Sequence, residues 1–141
     1  MTYEFKIIPN SNLDQIIPLV YELNEEKVDK ELLKSRFDDM KQQNYKCAGV
    51  FKANELVGIS GLWFSTRHYI GKSIELDHVY LLPEHRGNGL GKQFMAWIYN
   101  YAKEHGCSSV ELNTYVQNHP SHKFYFNEGF KILGYHFLKK L

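Results

Sequence analysis

Three glycines and an arginine stand together in Arg86-Gly87-Asn88-Gly89-Leu90-Gly91. Glycine has no Cβ, so such a run lets backbone N–H groups approach a ligand closely. Where the run opens a helix, the first N–H groups have no partner inside the helix and carry a partial positive charge. That combination suits a phosphate or pyrophosphate. A glycine-rich turn with no ligand fits a bare run of glycines equally well, because isolated glycine patterns are weak signals. Just upstream, Glu75 and Asp77 are two residues apart in a stretch of strand character, so period-two alternation puts them on one face with Val79 and Leu81. Carboxylates there are candidate proton acceptors. His78 falls on the opposite face of that alternation and reads as structural. His119 and His122 are three apart, but structural zinc takes about four ligands and no Cys or carboxylate accompanies them, so no metal is expected.

These groups need a strand and a helix to hold them. Ser73 to Leu82 is rich in Ile, Leu, Val and Tyr. Pro83, with no N–H to donate, ends the strand. After the glycines, Leu90, Phe94, Ile98 and Ala102, with Trp97 and Tyr101, recur at helical spacing to about His105, and Gly106 is a natural stop. In chain order, Tyr3–Pro9 reads as a strand and Leu13–Leu23 as a helix. Asn24–Asp29 is a bend and Lys30–Gln43 a second helix. Tyr45–Lys52 and Leu56–Ser65 are strands joined by Ala53-Asn54-Glu55, an antiparallel hairpin. The short Thr66–Lys72 link makes the next pair antiparallel too. Ser109–Val116 is a strand reached through the helix, as a parallel crossover requires. Ser121–Glu128 is a short helix, and Phe130–Leu141 closes the chain as a last strand. The fold class is mixed α/β (α+β): a mostly antiparallel sheet flanked by helices, in the order β-α-α-β-β-β-α-β-α-β, over one domain, 1–141.

Composition excludes several classes. The net charge of +1 and the lack of a basic tract give no case for nucleic acid. No apolar run approaches the ~20 residues of a membrane span, and the N-terminal MTYEFKIIP lacks the apolar core of a signal peptide. Cys47 and Cys107 fit no metal or redox spacing and read as free thiols in a cytoplasmic protein. Glu25, Glu26, Asp29, Asp38 and Asp39 form either a solvated face or a cleft for a cation. The element order does not fit a dinucleotide fold, whose glycine loop follows the first strand of repeated βαβ units. A Walker loop is also excluded, because Gly91-Lys92 is followed by Gln93.

Two motifs then carry a resemblance. Arg86, Gly89 and Gly91 stand as in the pyrophosphate motif of the GNAT superfamily of N-acetyltransferases. Asn118, Ser121, Tyr125, Gly129 and Phe130 match its second motif, with Ser121 where alanine is usual. Over essentially its whole length the chain resembles that superfamily. Its C-terminal half, through His122-Lys123-Phe124-Tyr125, is similar to the aminoalkylphosphonate and other small-amine N-acetyltransferases. The resemblance implies acetyl-CoA as donor. It implies pyrophosphate binding by the backbone from Arg86 through Gly87, Asn88, Gly89 and Leu90 to Gly91, with charge from Arg86 and Lys92. The pantetheine arm would add to the strand edge at Val79–Leu81 and meet Asn118.

An alkyl ammonium with pKa near ~10.4 is neutral in only about one part in 10³ at pH 7. An acetyl transfer to it therefore needs a proton acceptor, an oxyanion donor and a proton or hydrogen bond for the leaving thiolate. The resemblance puts Tyr125 at the sulfur. It makes Glu75 the candidate base, directly or through a water, with Asp77 as substitute, and a backbone N–H near Val79 the oxyanion donor. Tyr125 within Phe124-Tyr125-Phe126 also reads as packing, and Glu75 as a solvated carboxylate. No nucleophilic Cys lies in either motif, so direct transfer in a ternary complex is expected, and the resemblance points to a small primary amine as acceptor. The alternatives are a protein lysine or N-terminal acetyltransferase, and a non-catalytic acyl-CoA-binding module. The segment after Phe130 is short for the family's two C-terminal strands, so one long strand or a partner completes the sheet, and a homodimer is one way to do so.

Overall fold

The computed structural model describes residues 2–141. They form two compact units, one through Glu111 and one from Leu112 to Leu141.

In the first unit a sheet of strict chain order, β1-β2-β3-β4-β5, is built from Glu4–Ile8, Tyr45–Lys52, Glu55–Arg67, Gly71–Leu81 and Ser109–Leu112, the last strand running one residue past the unit's end. The pairs β1–β2, β2–β3 and β3–β4 are antiparallel, as the short connections require. The β2–β3 turn places Ala53 and Asn54 at φ 50° and 66°, both positive, the sense that matches the twist of a two-residue hairpin.

Helix α1 (Ile17–Leu23) is shorter than the apolar spacing suggests. The preceding stretch, Asn10–Ile16, is a 3-10 helix, and Pro18 falls in the first turn of α1, where a missing N–H costs nothing. Helix α2 (Lys30–Met40) is capped by Asp29, whose carboxylate accepts from the Glu31 N–H at 3.2 Å. Its Leu33 and Phe37, four apart, are buried with Leu13, Ile16, Leu19 and Val20 against Tyr45, Cys47 and Ile59 of the sheet. Helix α3 (Leu90–Glu104) buries Leu90, Phe94, Met95, Ile98 and Ala102, a stripe of helical period. Phe94 stacks on Phe5, and Tyr101 meets Phe64 edge-on.

The second unit contains helix α4 (His119–Asn127), which starts two residues earlier than the sequence pattern suggests. Asn118 caps it through Oδ1, accepting from the Ser121 N–H, and Pro120 sits in its first turn. Gly129 at φ 94° ends it, with the Phe130 N–H returning to the Tyr125 carbonyl at 2.9 Å. The expected closing strand over Phe130–Leu141 does not form. Residues 130–141 adopt no helix or strand. Their composition favours a strand, but a strand exists only where a neighbour takes its backbone hydrogen bonds.

Candidate active site

Strand β4 carries the site and is interrupted where the sequence shows a smooth alternation. Asp77 pairs with Gly61 and Tyr80 with Ile59, so three steps on β4 match two on β3. This is a β-bulge at His78–Val79, with His78 at φ 37°. Directly paired residues share a face, so Glu75 (opposite Trp63), Asp77 and Tyr80 point to the α1–α2 side. Leu81, opposite Gly58, points to the other side. The expected common face of Glu75, Asp77, Val79 and Leu81 therefore breaks at the bulge.

His78 is corrected with it. Its ring packs over Gly61, meets Phe37 edge-on at 5.3 Å and bonds through Nε2 to the Tyr45 hydroxyl at 2.6 Å, on the same side as Trp63. Asp77 pins the bulge: one carboxylate oxygen accepts from the His78 N–H at 2.8 Å, the other from the Trp63 indole N–H at 3.0 Å. The adjacent polar pair Asp77-His78 inside an apolar strand was the sequence signal for this break. Burial pushes the His78 pKa down to about 4, opposed by the Asp77 charge. The imidazole is therefore neutral in the folded protein and regains its ordinary pKa near 6.5 on unfolding. The unfolded chain binds more protons in that interval, so stability holds above about pH 6.5 and is lost as pH falls toward 4. A loss of about 2 kcal/mol from this group is expected between pH 7 and pH 5. Urea unfolding midpoints at the two pH values check it, and the loss should shrink in His78→Gln.

Glu75 is half-buried and ion-paired with Arg67 at 3.0 Å. Glu111 lies 3.9 Å from the same guanidinium and accepts from the Ser73 hydroxyl at 2.8 Å and the Tyr69 hydroxyl at 2.6 Å.

Past the bulge, β4 runs beyond its neighbour. Strand β5 meets β4 at its start, where the Ser108 N–H donates to the Lys72 carbonyl at 2.8 Å and the Ser73 hydroxyl to the Ser109 carbonyl at 3.3 Å. Four residues at roughly 3.3 Å each end before Val79. The Val79–Leu81 end of β4 thus has β3 on one side and no length of β5 on the other.

The glycine loop follows at once. The Arg86 Nε–H donates to the Leu81 carbonyl at 2.8 Å, and its guanidinium lies 5.1 Å over the Tyr80 ring. Gly87 and Gly89 adopt φ 85° and 82°, a left-handed conformation that a Cβ disfavours. A Cβ at either would meet nothing within 4 Å, so the glycines serve backbone conformation and the space above the loop is open. Gly89 is the N-cap of α3, and the Asn88 side chain accepts from the Leu90 N–H at 3.2 Å. Gly91 and Lys92 complete the first turn, with Lys92 exposed. The sequence-predicted residues from Val79 to Lys92 are therefore one continuous feature: a strand end, a 3-10 turn and a helix start.

In the second unit, Tyr125 lies on α4, edge-on to Phe124 at 5.2 Å and to Phe130 at 5.5 Å. Burial pushes its phenol up to about 12, so it stays protonated at neutral pH and is a donor. The nearby His122 Nε2 bonds the Tyr115 carbonyl at 2.8 Å.

The remaining candidates stand apart from this chemistry. Cys47 is fully buried, and burial pushes its thiol up to about 12, so it is a protonated core group. Asp38 pairs with Lys34 at 3.5 Å and Lys41 at 3.1 Å, as a solvated face does. The described residues contain no group of three or more His, Cys, Asp or Glu that could hold a metal. None of their helices is long and apolar enough to cross a membrane.

Residues 13–130 match the model of the acetyltransferase (GNAT) family. The chain is 26% identical over 140 residues to an aminoalkylphosphonate N-acetyltransferase of Salmonella typhimurium, covering 98% of this chain and 91% of that protein. The fold is that of a possible acetyltransferase from Clostridium difficile 630, with TM-score 0.83, 15% identity, and coverage of 100% of this chain and 98% of that one. It is also that of an aminoglycoside N-acetyltransferase in complex with CoA, with TM-score 0.84, 14% identity, and coverage of 99% and 95%.

Proposed function

The chain belongs to the GNAT family of acetyltransferases and is an acetyl-CoA-dependent N-acetyltransferase, and from that premise we propose that it acetylates the primary amine of a small molecule by direct transfer in a ternary complex. The observation that carries the proposal is the junction of β4 and α3: a strand end past the reach of β5 running into Gly87 and Gly89, whose positive φ angles shape the loop at the helix N-terminus and where an added Cβ would meet nothing within 4 Å. The bound donor supplies an activated thioester acyl group. In our reading the backbone from Arg86 to Gly91 holds the pyrophosphate with help from the helix dipole, and Arg86 and Lys92 add charge. Val79 and Leu81 offer main-chain groups to the pantetheine amides, and Asn118 meets the same arm.

For the proton steps we assign Glu75 as acceptor, directly or through a water, and Tyr125 as donor to the departing sulfur. Asp77 is a poorer base than Glu75, because both its oxygens already hold the bulge. Tyr125 is supported by the motif and by its protonated phenol. The small-amine assignment is supported by the Salmonella relative, whose name states an aminoalkylphosphonate substrate. We further propose that residues 1–141 act as one domain and that the protein works in the cytoplasm, consistent with its two free thiols.

Thiol release from acetyl-CoA across a panel of aminoalkylphosphonates, amino acids, polyamines and aminoglycosides tests this. Turnover on one class of small amine, with inverse plots that intersect, is the expected result. CoA binding without turnover on any of them, or turnover only on peptides, overturns it.

A further inference from the structure

The sheet face that α3 covers continues past the end of the helix. Directly paired residues share a face, and Leu62 with Leu76, Phe64 with Ile74 and Thr66 with Lys72 are successive pairs on it. Lys46 of β2, paired with Leu62, lies on the same face. Leu62, Ile74 and Leu76 are buried, whereas Lys46, Thr66 and Lys72 are exposed. The change comes where α3 stops, at Glu104, with the His105 ring 6.2 Å from Phe64.

A cavity of about 650 Å³ opens there, with Lys41, Lys46, Lys72, His105, Asn44 and Thr66 in its wall and no carboxylate. The whole chain carries 17 Lys and Arg against 16 Asp and Glu, so an acid-free wall with three lysines is a local separation of charge that composition does not explain. Some of these groups are partly held. Lys41 pairs with Asp38 at 3.1 Å and lies 3.9 Å from Asp14, behind the wall. The Lys72 ammonium donates to the His105 carbonyl at 2.7 Å, which keeps its full charge at the mouth. The His105 Nδ1 lies 2.8 Å from the Tyr101 carbonyl. A carbonyl only accepts, so Nδ1 carries a proton, and a cationic ring would offer Nε2 as a second donor. Lys46 has no ion-pair partner among the described residues.

We propose that this cavity binds the phosphate group of a small phosphorylated molecule, as a second anion site separate from the glycine junction. Ammonium groups are compact point charges that gather around phosphate oxygens, whereas a flat carboxylate is matched best by the arginine fork, which this wall lacks. The amide of Asn44 and the hydroxyl of Thr66 add neutral donors. The volume exceeds a bare phosphate and suits a small organic molecule. Lys72 stands at the start of β4 and Leu81 at its end, roughly 30 Å apart along the strand, so one ligand phosphate does not serve both sites. The whole wall belongs to the unit through Glu111.

Amide chemical shifts of the full chain, titrated with inorganic pyrophosphate at a constant ionic strength of about 0.15 M, test this. Saturable shifts at residues 44–46, 64–66, 72 and 105 are expected, and they should persist when CoA is present in excess. Lys46→Gln should weaken binding about tenfold and Lys46→Glu abolish it. Lys27→Gln, at an exposed lysine paired with Glu25, should leave it unchanged. An unaltered thermal midpoint in the Lys46 variants shows that the fold is intact, and Thr66→Val, which removes a donor and no charge, should weaken binding too. Four results overturn the proposal: shifts that never saturate, equal weakening by Lys27→Gln, shifts at 86–91 that CoA abolishes, or binding of a polyglutamate peptide without binding of pyrophosphate. None of these readouts depends on the acceptor or on turnover.

Discussion

Tyr125→Phe is expected to lower kcat about 10²-fold while leaving the KM for acetyl-CoA nearly unchanged. The substitution keeps the ring that packs edge-on against Phe124 and Phe130 and removes only the hydroxyl. A structural role would survive it, and a role at the sulfur would not. The expected loss sits at the low end of the acid–base range because a thiolate, with a reference pKa of about 8.5, leaves readily without a full proton. The phenol pKa of about 12 adds a second signature: ionisation of Tyr125 should cause no fall in rate between pH 7 and pH 10. Steady-state thiol release over that range checks both. An unchanged kcat in the variant would remove Tyr125 from the chemistry and leave the rest of the site standing.

Gly61→Ala should destabilise the fold by about 2–3 kcal/mol, in the range of overpacking in a filled core. An added Cβ would overlap the His78 ring, which cannot swing away cheaply. Its backbone is fixed at φ 37° by the bulge, and its Nε2 is bonded to Tyr45. Urea unfolding gives the loss directly. The double variant Gly61→Ala, His78→Ala should cost less than the two single losses added together, because the second change removes what the first collides with. Simple additivity would show that the two residues do not meet.

Much of this was readable in the chain, for reasons that differ by residue. Gly87 and Gly89 announced themselves because their positive φ strongly favours glycine, and the conformation is local. The hairpin at Ala53-Asn54 and the stripe of α3 are local in the same sense. The bulge escaped a period-two template, which assumes an unbroken ladder; only the adjacent polar pair Asp77-His78 marked it. The extra residue at His78–Val79 is held by Trp63 and Tyr45, which come from other strands. The Arg67–Glu75 pair was hidden likewise, since nothing in an eight-residue separation shows that two strands will bring the charges to 3.0 Å. The tail was the opposite case. Its residues suit a strand, but propensity describes one chain segment and pairing needs two.

The order of strands in the sheet has a consequence in time. Because β1 through β5 are neighbours in the order in which they are written, a polypeptide emerging from the ribosome always finds the template for its next strand already made, and that strand follows at once except at two places. Strand β1 must wait while two helices are synthesised before β2 arrives to pair with it. Strand β5 must wait for α3. Between those pauses the run from Tyr45 to Leu81 closes by short hairpins with little loop entropy to overcome, the regime of fast folding. The meander is therefore the natural seed of the molecule, and the glycine junction proposed to hold the donor is the first thing made once the seed is complete.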